Sequence, residues 1–230
     1  MSGSTLTPTV VLFTTAFPFD AVGEVTFVRP ELERLRVHFD RVVVVPAITG
    51  REQCELPDGI EIDHSLSQIL HPGGSLDRTR MLLGAVTCSW FLQELRRCPK
   101  ILRHPGAVKR FLYCVAAARR IGDWLRAKFQ NGSWHPDSTV AYSYWLNYIA
   151  AGLGRARSLH PSLKNISRAH GADIYEDRYV PACFPLHPRA MAAVDRIFVA
   201  SEAGQRHLAD TYPDERAKLS VAPLGSPDPG

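Results

Sequence analysis

Seven short runs rich in β-branched residues recur along the chain, and the longest of them are too apolar to line a sheet with one wet face. They are 9–15 (TVVLFTT), 40–47 (DRVVVVPA), 59–63 (GIEID), 138–144 (STVAYSY), 165–170 (NISRAH), 195–201 (DRIFVAS) and 218–223 (KLSVAP). Most are bounded by Pro, Gly, Asp or Ser, which punctuate strands. A near-continuous apolar strand needs cover on both faces, and helical segments between the runs supply it. The pattern predicts an α/β domain: a doubly wound, mostly parallel sheet with helices on both faces, Rossmann-like in plan. Helices are expected over about 26–38, 77–98, 105–129, 146–158 and 202–211.

At 230 residues, 45% hydrophobic and 22% charged, the chain can bury one large core, and no internal linker or repeat divides it. A single domain is expected over 1–223. Five cysteines, Cys54, Cys88, Cys98, Cys114 and Cys183, are irregularly spaced with no CxxC pair, so neither a disulfide framework nor a zinc site is implied. The first residues carry no basic region before their apolar run, and the longest apolar stretch, 81–92, is about 12 residues against the roughly 20 that span a bilayer. A cytoplasmic location is the expectation, with no metal, no cofactor and no nucleic-acid partner.

In open α/β sheets ligands sit at the carboxyl ends of the strands. Four loops qualify: AFPFDAVGEVTF after the first strand, YWLN after the fourth, HGADIYE after the fifth and SEAGQ after the sixth. The first lacks the GxGxxG of a dinucleotide site, and the chain has no GxxxxGK[ST], so neither NAD or FAD binding nor P-loop chemistry is expected.

The residues of these loops admit two readings each. His170 at a strand's end can hydrogen-bond a sugar hydroxyl or, when protonated, offset phosphate charge, and it can also tie down its own loop. Glu24 is either a ligand contact or a first-turn helix residue favoured by the dipole. Asp173, Glu176 and Asp177 beside Arg168 and Arg178 form either a ligand-facing group or a solvated ion-pair cluster, the latter for Glu176 and Asp177. Ser201 reads as an N-cap that also reaches a sugar. Tyr144, Trp145 and Asn147 either stack on and bond an acceptor or belong to the core.

Taken in order, FPFDAVGEVTFVRPELERL, FDRVVVVPA, SRAHGADIYEDR, VDRIFVASEAGQRHL and KLSVAPLG resemble the N-terminal domain of family 4 glycosyltransferases of the two-Rossmann-domain (GT-B) type, above all bacterial enzymes of capsular and extracellular polysaccharide. The resemblance covers nearly the whole chain outside about 65–135. It implies that Gly23 and Glu24, with Asp20 nearby, lie close to the acceptor and donor sugars, and that His170 with Gly171 faces the transferred sugar or its phosphate. It implies a retaining hexosyl transfer from a nucleotide-sugar donor to a glycan or lipid-linked acceptor, with the donor held by a second domain. Residues 224–230 read as the start of the linker to that domain, and no two glutamates stand eight positions apart to form the family's donor signature. The donor-binding domain is therefore expected to be absent here and the chain inactive alone. The rival class is a non-catalytic module derived from such a domain, binding a partner subunit or glycan.

One further expectation concerns charge. The run 96–128 holds ten Lys and Arg against the single Asp123, while the whole chain is only +4. In the helix at 105–129, Lys109, Arg110, Arg119, Arg120 and Lys128 fall mostly opposite the apolar stripe, which suggests peripheral docking on anionic lipid or an ordinary solvated face.

Overall fold

The structure is a computed structural model that describes residues 7–19 and 23–224. Seven strands form one sheet: β1 (Thr9–Thr14), β2 (Arg41–Pro46), β3 (Ile60–Ile62), β4 (Thr139–Ser143), β5 (Lys164–Ala169), β6 (Arg196–Val199) and β7 (Leu219–Val221). Their order is β3-β2-β1-β4-β5-β6-β7, and every neighbouring pair is parallel. All seven predicted strands are present. Every residue of β1 is buried, as expected of a central strand covered on both faces.

Alternation along the strands divides the core in two. Val11, Phe13, Val43, Val45 and Ala141 point to one face; Val10, Leu12, Val42, Val44 and Tyr142 point to the other. On the second face the cover among the described residues comes from α1 (Glu24–His38), whose buried positions Glu24, Val28 and Leu32 stand four apart on one stripe. The first face carries α5 (Pro105–Gln130), α6 (Tyr148–Arg157), α8 (His187–Ala193) and α9 (Glu202–Thr211), with the shorter α2 (Ser65–Leu70), α3 (Ser75–Val86), α4 (Ser89–Arg97) and α7 (Gly171–Ile174) around them. A fully buried valine contributes about 1.5–3 kcal/mol, so the paired valines of β1 and β2 are a large part of the stability.

The helix expected over 77–98 is two helices. Thr87, Cys88 and Ser89 are weak helix formers, and the break lets α3 and α4 pack separately against α5. The apolar stripe of α5 is buried as expected at Phe111, Val115, Ala118, Gly122, Leu125 and Phe129, and at the helix centre burial widens to take in Ala116 and Ala117 as well. Arg119 donates to the Gly84 carbonyl at 2.7 Å and Arg120 to that of Ile69, closing the last turns of α3 and α2, while Lys128 pairs with Asp63 at 2.5 Å. Much of the expected basic surface therefore serves internal contacts. No helix among the described residues is long and apolar enough to cross a membrane.

Candidate functional site

From β1 the chain winds outward to β3 and then returns to β4 on β1's other side. The gap between β1 and β4 is thus the topological switch point, where open α/β sheets place their ligand crevice. The loop after β5 forms its adjacent wall.

Glu24, in the first turn of α1, closes one side of this crevice. Its carboxylate accepts hydrogen bonds from the backbone N–H groups of Thr15 (2.9 Å), Ala16 (2.8 Å) and Phe17 (2.7 Å) and from the Trp145 indole. Four donors fill the acceptor positions of a carboxylate. Glu24 thus fixes the β1 loop and joins it to the β4 loop across the switch point. A sugar contact by Glu24 would need one of these donors displaced. Gly23 precedes it at an exposed helix N-cap, with open space where a Cβ would stand. Asp20 lies outside the described residues.

His170 stands at the end of β5, 7% exposed. Its ring lies 4.6 Å from that of Trp145 and 5.3 Å from that of Tyr144, centroid to centroid. Among the described residues neither buried ring nitrogen makes a close hydrogen bond, and nor does the Tyr144 hydroxyl, although the ring faces the Asp173 N–H as one half of a capping box on α7. Burial, seconded by the Arg168 charge and opposed by Glu24, pulls the imidazole down to about 4, so it is neutral at physiological pH. Burial likewise pushes the Tyr144 phenol above its ordinary range.

Asp173 braces the same corner. It is 3% exposed; one carboxylate oxygen accepts from the His170 N–H at 2.5 Å and the other from the Leu146 N–H at 2.7 Å. It therefore ties the β5 loop to the β4 loop. Burial raises its carboxyl to about 7 despite those two N–H donors. Gly171 leaves room for Arg178, whose Nη1 would stand 3.1 Å from an added Cβ.

The remaining expected residues are engaged by the protein. Asn147 caps α6 by accepting from the Ile149 N–H (2.8 Å), and Ser201 caps α9 by accepting from the Gly204 N–H (3.1 Å). Arg168 donates to Glu31 (2.9 Å), the Tyr142 hydroxyl (3.1 Å) and the Ala222 carbonyl (2.8 Å). Tyr144 belongs to the core beneath α1. Glu176 is not a solvated partner of its neighbours: Arg97 from α4 (3.1 Å), the Tyr212 hydroxyl (3.3 Å) and His187 (3.5 Å) converge on it. Two features escaped the sequence: the Trp145 indole as a donor to Glu24, and the loop amides that Glu24 gathers. An aromatic pair at a strand's carboxyl end was the available signal for the first; backbone amides leave none.

Among the described residues no three His, Cys, Asp or Glu side chains are grouped to hold a metal ion.

No family model and no curated protein matches the sequence. Solved structures do. A protein assigned as a UDP-N-acetylglucosamine 2-epimerase from Listeria monocytogenes matches at TM-score 0.51 and 12% identity, over 94% of this chain and 45% of that one. OtsA in its apo form matches at TM-score 0.52 and 10% identity, over 95% of this chain and 49% of that one. At such identities the likeness shows the fold: a Rossmann-like domain of the GT-B type. The chain spans about half the length of these structures.

Proposed function

We propose that this chain is the acceptor-side half of a retaining GT-B glycosyltransferase that moves a sugar from a nucleotide-sugar donor to a glycan or lipid-linked acceptor in polysaccharide assembly. The observation that carries the reading is His170, a neutral imidazole at the switch-point crevice whose nitrogens make no close hydrogen bond among the described residues. The loop motifs that resemble family 4 transferases support it, as does a fold neighbour named for action on a UDP-sugar.

A neutral imidazole donates through one nitrogen and accepts through the other, which suits a sugar hydroxyl better than a phosphate. The half-buried Trp145 ring beside it offers apolar surface to a pyranose. His170 would thus orient the transferred sugar as positive charge builds at its anomeric carbon. Asp173 and Glu24 act through His170 and Trp145 as positioning residues, one holding the β5 loop and the other the β1 loop. The groups that stabilise the departing nucleotide phosphate belong to the other half.

The test has two arms. In the full enzyme, or this chain paired with a donor-binding half, His170→Ala should lower kcat/KM by at least about tenfold, roughly 1.4 kcal/mol of transition-state stabilisation. Unchanged kinetics in a folded variant would return His170 to a structural role and favour a non-catalytic module. The 230-residue chain by itself should bind nucleotide sugars only weakly in calorimetry, and sub-micromolar binding would refute the half-site assignment.

A further inference from the structure

A second cavity, of about 470 Å³, opens where the end of α2 meets α3 and the first turns of α5. It shares no lining residue with the His170 crevice, so its chemistry is independent of the sugar-transfer reading. Arg78, Lys109 and Arg110 face it, and no carboxylate lines it. Asp77, next to Arg78 in sequence, pairs instead with Arg80 at 3.7 Å. Among the described residues none of the three cations makes an ion pair. The Nε and Nη2 groups of Arg110 are buried without an acceptor, while its guanidinium is held 5.2 Å above the Tyr179 ring and 6.0 Å from that of Phe111. The side chain is therefore anchored, with its charge unpaired among the described residues. Gly106 adds the positive end of a 26-residue helix to the same wall.

The rest of the lining is apolar or aromatic. Leu70 and Met81 are buried and Leu82 is half-buried, and Tyr113 stacks on His71 with ring centroids 6.2 Å apart. Three unneutralised cations around one cavity repel each other, and a bound anion would relieve that repulsion. Their number suits a dianion with several acceptor oxygens better than a single carboxylate. The cavity lies within the size range of small-molecule sites, leaving space beyond the charged group.

We propose that this cavity binds a phosphate monoester carrying an apolar arm. The ester is either a soluble organic phosphate or the headgroup of a monoester lipid, and both present the same chemistry to Arg78, Lys109 and Arg110.

Calorimetry with octyl phosphate on the 230-residue chain, at low salt, tests it. Octyl phosphate should bind saturably, at least about tenfold tighter than inorganic phosphate or octyl glucoside, because it alone combines both halves of the site. The double variant Arg78→Gln/Lys109→Gln alters exposed side chains that make no hydrogen bond or ion pair among the described residues, so it should fold normally and lose about tenfold or more in affinity. Arg110→Gln should weaken binding by at least as much, and octyl phosphate should shift the Tyr113 and His71 ring resonances in the wild type alone. Flotation separates the sources. Recovery of the wild type, but not the double variant, with phosphatidylcholine vesicles containing phosphatidic acid identifies the lipid headgroup; octyl phosphate binding without recovery identifies a soluble ester. Absence of saturable octyl phosphate binding, equal affinity in the double variant, or equal recovery on phosphatidylserine vesicles of matched charge would each overturn the proposal.

Discussion

Asp173 and His170 make opposite demands on pH, and separating them tests the buried corner of the crevice. Asp173 is raised from its ordinary 3.8 to about 7, so between those values the folded state keeps a proton that the unfolded chain has released. Stability from this group is complete below pH 3.8 and is lost as pH rises toward 7. His170 is lowered from 6.5 to about 4, so between those values the unfolded chain holds the extra proton, and stability is lost as pH falls from 6.5 toward 4. One proton corresponds to about 1.4 kcal/mol per pH unit, so the two slopes cancel in the wild type through the shared window. The charges acting on His170 are Arg168 and Glu24, not Asp173, so removing one group leaves the other's titration in place. In Asp173→Asn stability should therefore rise by about 2 kcal/mol from about pH 4.5 to about pH 6, relative to wild type. In His170→Gln it should fall by a similar amount. Any constant loss from the altered hydrogen bonds to His170 and Leu146 shifts the curves without tilting them. Urea unfolding followed by tryptophan fluorescence, with Trp145 against the His170 ring as the local reporter, measures the slopes. Curves for Asp173→Asn and wild type that run parallel across this window would show that the carboxyl is not held protonated, and the argument would fail.

Glu24→Ala leaves the N–H groups of Thr15, Ala16 and Phe17 without their acceptor; the urea midpoint should fall by the equivalent of about 3 kcal/mol. Gly152→Ala places a Cβ 2.7 Å from the Ala118 carbonyl oxygen and 2.9 Å from Ile121 Cβ, where α6 crosses α5, so the melting temperature should drop by an amount equivalent to about 1–2 kcal/mol after the helix-propensity gain. Gly84→Ala, with nothing within 4 Å of the new Cβ, should raise it by about 1 kcal/mol in the same thermal scans. Ser201→Ala removes the cap of α9 and should cost about 1 kcal/mol in urea titrations.

The strands were legible because burial on both faces removes polar residues from them, and β1 and β2 carry that mark along nearly their whole length. The helices were legible where a single apolar stripe exists, as in α1. They were not where context decides: α8 follows Pro185 and begins with His187 and Pro188, with Leu186 at φ 61 before it, and the buried Glu94 carboxylate accepts from the Leu186 N–H at 3.1 Å. Glu94 is 92 residues away in sequence, so no local pattern announces the contact. The same limit applies to Glu176, whose partner Arg97 is 79 residues distant, and to Arg119 and Arg120, whose acceptors are backbone carbonyls of other helices. The position of His170 was readable from the strand it ends; the isolation of its ring was not, because it depends on where Tyr144 and Trp145 come to rest.

Within the crevice, polar groups fall into two sets, and the division bears on what it can hold. Glu24, Asp173, Asn147, Arg168 and Ser201 all have protein partners. Among the described residues the two nitrogens of His170 and the Tyr144 hydroxyl have no close one. A buried donor or acceptor left unpaired costs about 1–3 kcal/mol, so the unpaired set is where a ligand gains most by binding. Tyr144 is fully buried beneath the ring of His170, whose own nitrogens are covered as well, so a hydroxyl reaches the imidazole only by displacing a neighbouring group. Because that imidazole is neutral, the gain comes from hydrogen bonding rather than from charge, and an uncharged hydroxyl beside an apolar ring face matches it better than an anion does. Of the charged groups nearby, Glu24, Asp173 and Arg168 are engaged by the fold, while Arg178 beside Gly171 lies over the Tyr175 ring. Arg78, Lys109 and Arg110 line a separate cavity, without an ion pair among the described residues.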